Sequence, residues 1–187
     1  MEKTKQLKVL KANELIEASY KLTTQEQRII LTMISKLDPW EEKEFTTIRV
    51  YVKDFIEMIG VKGKSKYKEI IDITKKLREK TVVINKAKSK LVVGWLSSAE
   101  YFPGKGYVEL EFSPKMRPYL LQLKQYTLYN FKDVMQLKVS YSIRFYELLK
   151  QYQKIRSDRY FEIDDLKKYW GSISTDINCM LTLSAEF

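Results

Sequence analysis

Between positions 62 and 90 lie eleven basic residues, Lys62, Lys64, Lys66, Lys68, Lys75, Lys76, Arg78, Lys80, Lys86, Lys88 and Lys90, opposed only by Glu69, Asp72 and Glu79. This stretch carries most of the chain's formal charge of +10. Such a run is suited to contact with the phosphates of a polyanion. Tyr67, Ile70, Ile73, Thr74 and Leu77 recur within it at helical spacing, which predicts a helix over 66–79 opened by Ser65 as N-cap. Lys68 and Lys75 then share the face away from Ile70 and Leu77, with Lys76 on its flank. The candidate phosphate-contacting set is Lys62, Lys64, Ser65, Lys66, Lys68, Lys75, Lys76, Arg78, Lys86, Lys88 and Lys90. The plain alternative is a set of lysines that merely solvate an exposed helix. Glu69 and Asp72 interrupt the face, and it holds few Arg, Asn or Gln residues, so little base readout is expected from it.

Other chemistry is poorly supplied. The chain has no histidine, which removes Ser-His-Asp and Cys-His schemes and every His-ligated metal site, including the paired-histidine site of a nicking enzyme. The single Cys179 can form no internal disulfide and offers no metal cluster. Gly60-Val61-Lys62-Gly63-Lys64-Ser65 resembles a phosphate-binding loop only superficially, because the pattern needs a further Gly where Met58 stands, and a strand before it. Thirteen tyrosines raise the idea of a Tyr nucleophile, which lacks a histidine or a metal cluster to support it. Tyr141, Phe145, Tyr146 and Tyr152 could stack on bases, but their spacing follows one helical face, and core packing is the expected role. No enzymatic activity and no cofactor are expected. No run of about 18 apolar residues and no N-terminal hydrophobic segment is present, so the expectation is a cytoplasmic protein that does not enter a membrane.

The elements that must position the basic stretch follow from periodicity. After a basic lead (Lys3, Lys5, Lys8, Lys11), Thr23-Thr24-Gln25-Glu26 forms a capping box, and Ile30, Met33, Ile34 and Leu37 continue an amphipathic helix over 24–37 until Asp38-Pro39. A strand is predicted over 45–51 and a short helix over 52–59, closed by Gly60. After the basic helix come strands at 81–85, 91–101 and 107–112, the last two joined by a turn at Gly104-Lys105-Gly106. Helix, strand, helix, turn, helix and hairpin make an α+β winged helix, with Lys86, Lys88 and Lys90 placed on its wing.

The second half begins the same order again. A linking helix is predicted over 114–123, then a long helix over 139–155 with Tyr141, Phe145, Leu148, Leu149 and Tyr152 on one face. A strand over 159–163 and a short helix capped by Asp164 and ending at Gly171 complete a weak internal repeat. The expected organisation is a first winged-helix domain over 1–135, the start of an incomplete second one over 136–171, and an atypical, poorly ordered tail over 172–187. Leu148, Tyr152, Phe161, Leu166 and Trp170 would then form an exposed apolar patch.

Leu22-Thr23 through Gln27-Arg28, Trp95-Leu96-Ser97-Ser98-Ala99-Glu100-Tyr101, Gly106-Tyr107-Val108-Glu109-Leu110-Glu111-Phe112-Ser113-Pro114 and Tyr141-Ser142-Ile143-Arg144-Phe145-Tyr146-Glu147-Leu148-Leu149 together resemble the Rep_3-type initiators of iteron-containing theta-replicating plasmids. The resemblance covers about residues 7–171 and departs after Gly171. It implies two winged helices that bind repeated double-stranded origin DNA as a monomer and recruit host replication proteins. As a homodimer such proteins repress their own promoter. The expected function is therefore a plasmid replication initiator, truncated within its second unit. The alternatives are a dimerisation module or inhibitor acting on full-length initiator, or an autoregulatory repressor.

Overall fold

The computed structural model describes residues 7–59, 66–153, 155 and 160–171. Strand β1 (Lys8–Ala12) leads into the single turn α1 (Asn13–Ile16), then α2 (Thr24–Ile34), β2 (Ile48–Tyr51), α3 (Val52–Ile59) and α4 (Lys66–Glu79). Strands β3 (Thr81–Asn85), β4 (Lys90–Gly94), β5 (Leu96–Phe102) and β6 (Tyr107–Phe112) follow. The chain ends its described part with α5 (Arg117–Leu120), β7 (Tyr126–Asn130), α6 (Phe131–Met135), α7 (Ser140–Tyr152) and α8 (Ile163–Tyr169).

Helix α2 is the central post. The capping box read from sequence is present: the Thr23 hydroxyl accepts from the Glu26 amide at 3.2 Å, and the Glu26 carboxylate accepts from the Thr23 amide at 2.7 Å. Ile29, Ile30, Leu31, Met33 and Ile34 are all buried, so the helix is covered on more sides than an amphipathic stripe requires. It stops at Ile34, three residues earlier than predicted. The Ser35 amide still bonds back four residues to Leu31, those of Lys36 and Leu37 bond back only three, and Asp38 Oδ1 then accepts from the Trp40 and Glu41 amides. Replacing Thr23 with Ala is expected to cost about 1 kcal/mol, the usual worth of an N-cap, read as a lower urea midpoint at unchanged slope.

The winged-helix sheet is antiparallel in the order β2-β6-β5, with Ile48 opposite Leu110 and Tyr101 opposite Val108. The alternation predicted for β6 is observed: Val108, Leu110 and Phe112 face the core, while Glu109 and Glu111 face outward. Gly106, at φ 67°, closes the β5–β6 turn in the left-handed region that glycine enters without a Cβ penalty.

Four expectations are corrected. The strand expected over 91–101 is two strands, because Trp95 turns into the core beside Tyr20 at 5.0 Å and the chain crosses there from one sheet to another. Strands β3 and β4 form their own two-stranded sheet, so Lys86, Lys88 and Lys90 lie on a separate hairpin and not on the β5–β6 wing. Residues 160–162 carry no strand, and α8 starts at Ile163; Asp164 does not cap it but pairs with Lys167 at 2.9 Å. Leu166 and Trp170 are buried, because α8 folds back so that they pack with Tyr141, Phe145 and Phe161, and Leu148 on α7 is buried as well. The aromatic residues of α7 accordingly pack internally, Tyr141 and Phe145 on Trp170 and Tyr146 on Tyr129. The tail over 172–187 lies outside the described residues.

Strands β1 and β7, which sequence reading did not identify, pair antiparallel with Lys8 opposite Asn130 and Ala12 opposite Tyr126. Their inner face and α7 enclose an ionic cluster. Glu147 Oε1 accepts from Lys11 Nζ at 2.6 Å and from the Tyr129 hydroxyl, and Glu147 Oε2 accepts from Arg144 at 3.1 Å. Arg144 also donates to the Tyr20 hydroxyl at 2.5 Å and to the Ile16 and Ala18 carbonyls. Burial works against the Glu147 carboxylate, but Lys11 and Arg144 outweigh it and hold the group below the usual carboxylate range. Burial pulls the Lys11 ammonium down, against the pull of Glu147, and pushes the Tyr129 phenol up.

Candidate nucleic-acid interface

Helix α4 is the second helix of the pair that follows β2, and its docking decides which of its residues reach solvent. Ile70, Ile73, Thr74 and Leu77 are buried and Tyr67 is half-buried, as the spacing predicts. The Thr74 hydroxyl bonds the Ile70 carbonyl at 2.7 Å and lies 2.9 Å from the Tyr101 hydroxyl on β5, which fixes the rotation of α4 on the sheet. With that rotation set, Lys68, Lys75, Lys76 and Arg78 are exposed. No ion pair among the described residues involves any of these four. Asp72 is exposed on the same helix, so the surface is basic but not uniformly so.

Lys66 opens α4, whereas Lys62, Lys64 and Ser65 lie outside the described residues. Lys86, Lys88 and Lys90 are exposed together around the β3–β4 turn, which is closed by a hydrogen bond from the Lys86 amide to the Ser89 carbonyl at 2.8 Å. Five residues of β3 carry that turn about 17 Å from the end of α4. There Lys86 sits 5.8 Å from the Tyr119 ring and, with Arg117 and Lys124, lines a groove of about 730 Å³. The structure thus divides the predicted residues between two surfaces, one on α4 and one at the hairpin.

Sequence reading missed Lys105, which stands exposed at the tip of the β5–β6 wing, 5.3 Å from the Phe102 ring. Its place between Gly104 and Gly106 marked a turn, and only the pairing of β5 with β6 makes that turn the wing. Among the described residues no group of three or more Cys, His, Asp or Glu side chains could hold a metal ion, and no helix is long and apolar enough to cross a membrane.

Comparison with known proteins places this architecture. The family described as Initiator Replication protein, WH1 matches residues 8–150. A replication initiation protein of Escherichia coli is 32% identical over 149 residues, which covers 77% of this chain and 46% of that protein. The chain therefore spans about half the length of that relative. An uncharacterised 27.6 kDa protein of Escherichia coli is 25% identical over 163 residues, covering 80% of this chain and 68% of the relative. Among solved structures, the Pi initiator protein in complex with iteron DNA superposes with a TM-score of 0.66 at 18% identity, over 89% of this chain and 73% of that one, a likeness of fold. The chain belongs to the Initiator Replication protein WH1 family.

Proposed function

We propose that this chain binds double-stranded plasmid origin DNA and acts as a non-enzymatic replication initiator, or the DNA-binding part of one. The observation that carries this reading is α4: its apolar side is locked onto β5, and it presents Lys68, Lys75, Lys76 and Arg78 to solvent with no ion pair among the described residues. Family membership and the net charge of +10 support it. Lysines on one helix face contact phosphates and read few base edges, so α4 supplies affinity more than sequence choice. Lys66 opens α4 and, with Lys62, Lys64 and Ser65 just before it in sequence, would extend that contact, Lys105 extends it through the wing, and Lys86, Lys88 and Lys90 reach flanking backbone. Binding by this surface alone falls near the non-specific range of about 10⁻⁴–10⁻⁶ M. A salt-titrated mobility shift tests the reading: this chain should retain repeat-containing origin duplex and a scrambled duplex about equally, and fail on both as salt rises. No retention of either duplex at low salt would overturn it.

A second reading, pairing with another copy or with a full-length initiator, is favoured by the β4 edge. Among the described residues β4 pairs only with β3, and Val92 on it is 57% exposed. An open strand edge is a template for pairing with another chain. Light scattering of the wild type against Val92→Lys should show a dimer that the substitution dissociates; a monomer in both would remove this reading.

A further inference from the structure

A carboxylate stands in the middle of the basic face of α4. The buried residues Ile70, Ile73, Thr74 and Leu77 define the side of the helix that meets the sheet. At about 100° per residue, Asp72, Lys68 and Lys75 all fall within about 30° of the opposite direction, so they form the outward ridge. The bond between the Thr74 and Tyr101 hydroxyls, at 2.9 Å, holds the helix in that rotation, and Asp72 is exposed. Lys68 lies one turn before Asp72, and Lys75 and Lys76 lie one turn after it, the spacing at which helical ion pairs form. Yet no ion pair among the described residues involves Asp72.

The two residue types on this ridge differ in reach. Lysine carries its charge on a flexible four-carbon stem, so Lys68, Lys75 and Lys76 can extend sideways to the phosphates that border a groove. Aspartate is short and meets only what the ridge itself faces. On a duplex that is the floor of the major groove, which is wide enough to admit a helix. A carboxylate brought between two rows of phosphates is repelled and loses hydration, a cost offset only if a base edge donates to it. In the major groove cytosine N4 and adenine N6 are the donors. Adenine N6 lies beside N7, an acceptor whose lone pair repels a carboxylate, whereas cytosine N4 has no such acceptor beside it on its own ring. The chemistry of the ridge therefore selects cytosine.

We propose that Asp72 is a specificity-determining residue, which accepts a hydrogen bond from a cytosine N4 amino group in the major groove while Lys68, Lys75 and Lys76 hold α4 on the flanking phosphates. The inference rests on the DNA reading of α4 and deepens it. One carboxylate reading one base makes a weak choice, because any mixed duplex offers a cytosine. Repeat-containing and scrambled duplexes are therefore still retained about equally, and within either of them Asp72 fixes the register at which α4 settles.

The test is fluorescence anisotropy at low salt with two duplexes of equal length, one wholly of A·T pairs and one in which some of these are replaced by inosine–cytosine pairs. Inosine lacks the 2-amino group of guanine, so the duplexes differ in the major groove and present the same acceptors in the minor groove. The wild type should bind the cytosine-containing duplex about tenfold more tightly. Asp72→Ala should lose that preference. Asp72→Asn should reverse it, because an Asn amide pairs with adenine N6 and N7 together. Asp72 is exposed, so equal urea midpoints for the three chains will show that folding is not the cause. A wild type that binds both duplexes equally would overturn the proposal and leave the DNA reading of α4 intact. So would variants that tighten equally on both, since Asp72 would then only repel phosphates. A wild type that binds neither duplex would overturn the DNA reading, and this proposal with it.

Discussion

Replacing Glu147 with Ala is expected to cost about 3–5 kcal/mol, a large share of the roughly 5–15 kcal/mol that holds a domain of this kind together. Among the described residues, the substitution removes the one anion that pairs with Lys11 and Arg144, and it leaves two buried cations facing each other. It also strips acceptors from the Tyr20 and Tyr129 hydroxyls. Lys11→Met should behave differently. It retains the hydrocarbon stem and leaves Arg144 and Glu147 as a one-to-one pair, so its cost should stay below about 1.5 kcal/mol. Urea unfolding followed by far-UV circular dichroism measures both, and equal costs for the two variants would contradict the charge argument. The same cluster sets an acid limit. Glu147 titrates lower in the folded chain than in the unfolded one, so its contribution is full above the ordinary carboxylate range and is lost as pH falls through its depressed value. Lys11 acts in the opposite sense: its lowered value is a cost at neutral pH that eases as pH rises toward the ordinary lysine value.

This cluster also shows where sequence reading runs out. Lys8 to Ala12 reads as a basic lead because Lys11 breaks the apolar alternation, yet Lys11 points inward and β1 is a genuine strand. Glu147, more than a hundred positions away, makes that burial tolerable, and no local pattern reveals it. In α7 the periodicity selects Tyr141, Phe145, Leu148, Leu149 and Tyr152, but the fully buried stripe is Ile143, Arg144, Glu147 and Leu148, with Leu149 half exposed. Two charged residues hold core positions there, which a hydrophobicity reading assigns to solvent. By contrast α4 and β6 were legible to the residue, since each has one apolar face and their periods of 3.6 and 2 are unbroken. Tyr126-Thr127-Leu128-Tyr129 carries a strand signal that is weak beside the stronger helix that follows. The candidate site was half legible: helical spacing gave the outward lysines of α4, but strand pairing alone shows which hairpin is the wing.

The second large effect is on DNA. Reversing Lys68, Lys75 and Lys76 to Glu should lower duplex affinity by about a thousandfold at low salt. Each lost charge-assisted contact is worth about 1.5 kcal/mol, close to tenfold. The three side chains are exposed and make no ion pair among the described residues, so stability should change by no more than about 0.5 kcal/mol per site. A variant that keeps its urea midpoint and loses DNA separates binding from folding. A variant that folds and binds as before would move the interface elsewhere.

The most direct test of α4 as the phosphate-contacting surface is the salt dependence of binding to one plasmid-origin duplex, measured for the wild type and for Lys68→Gln/Lys75→Gln/Lys76→Gln. Each phosphate contact contributes about 0.9 to the slope of log affinity against log salt, so the neutralised chain should show a slope shallower by roughly three. Parallel lines of equal affinity would contradict the account, because the lysines of α4 would then be solvating a helix that DNA does not touch.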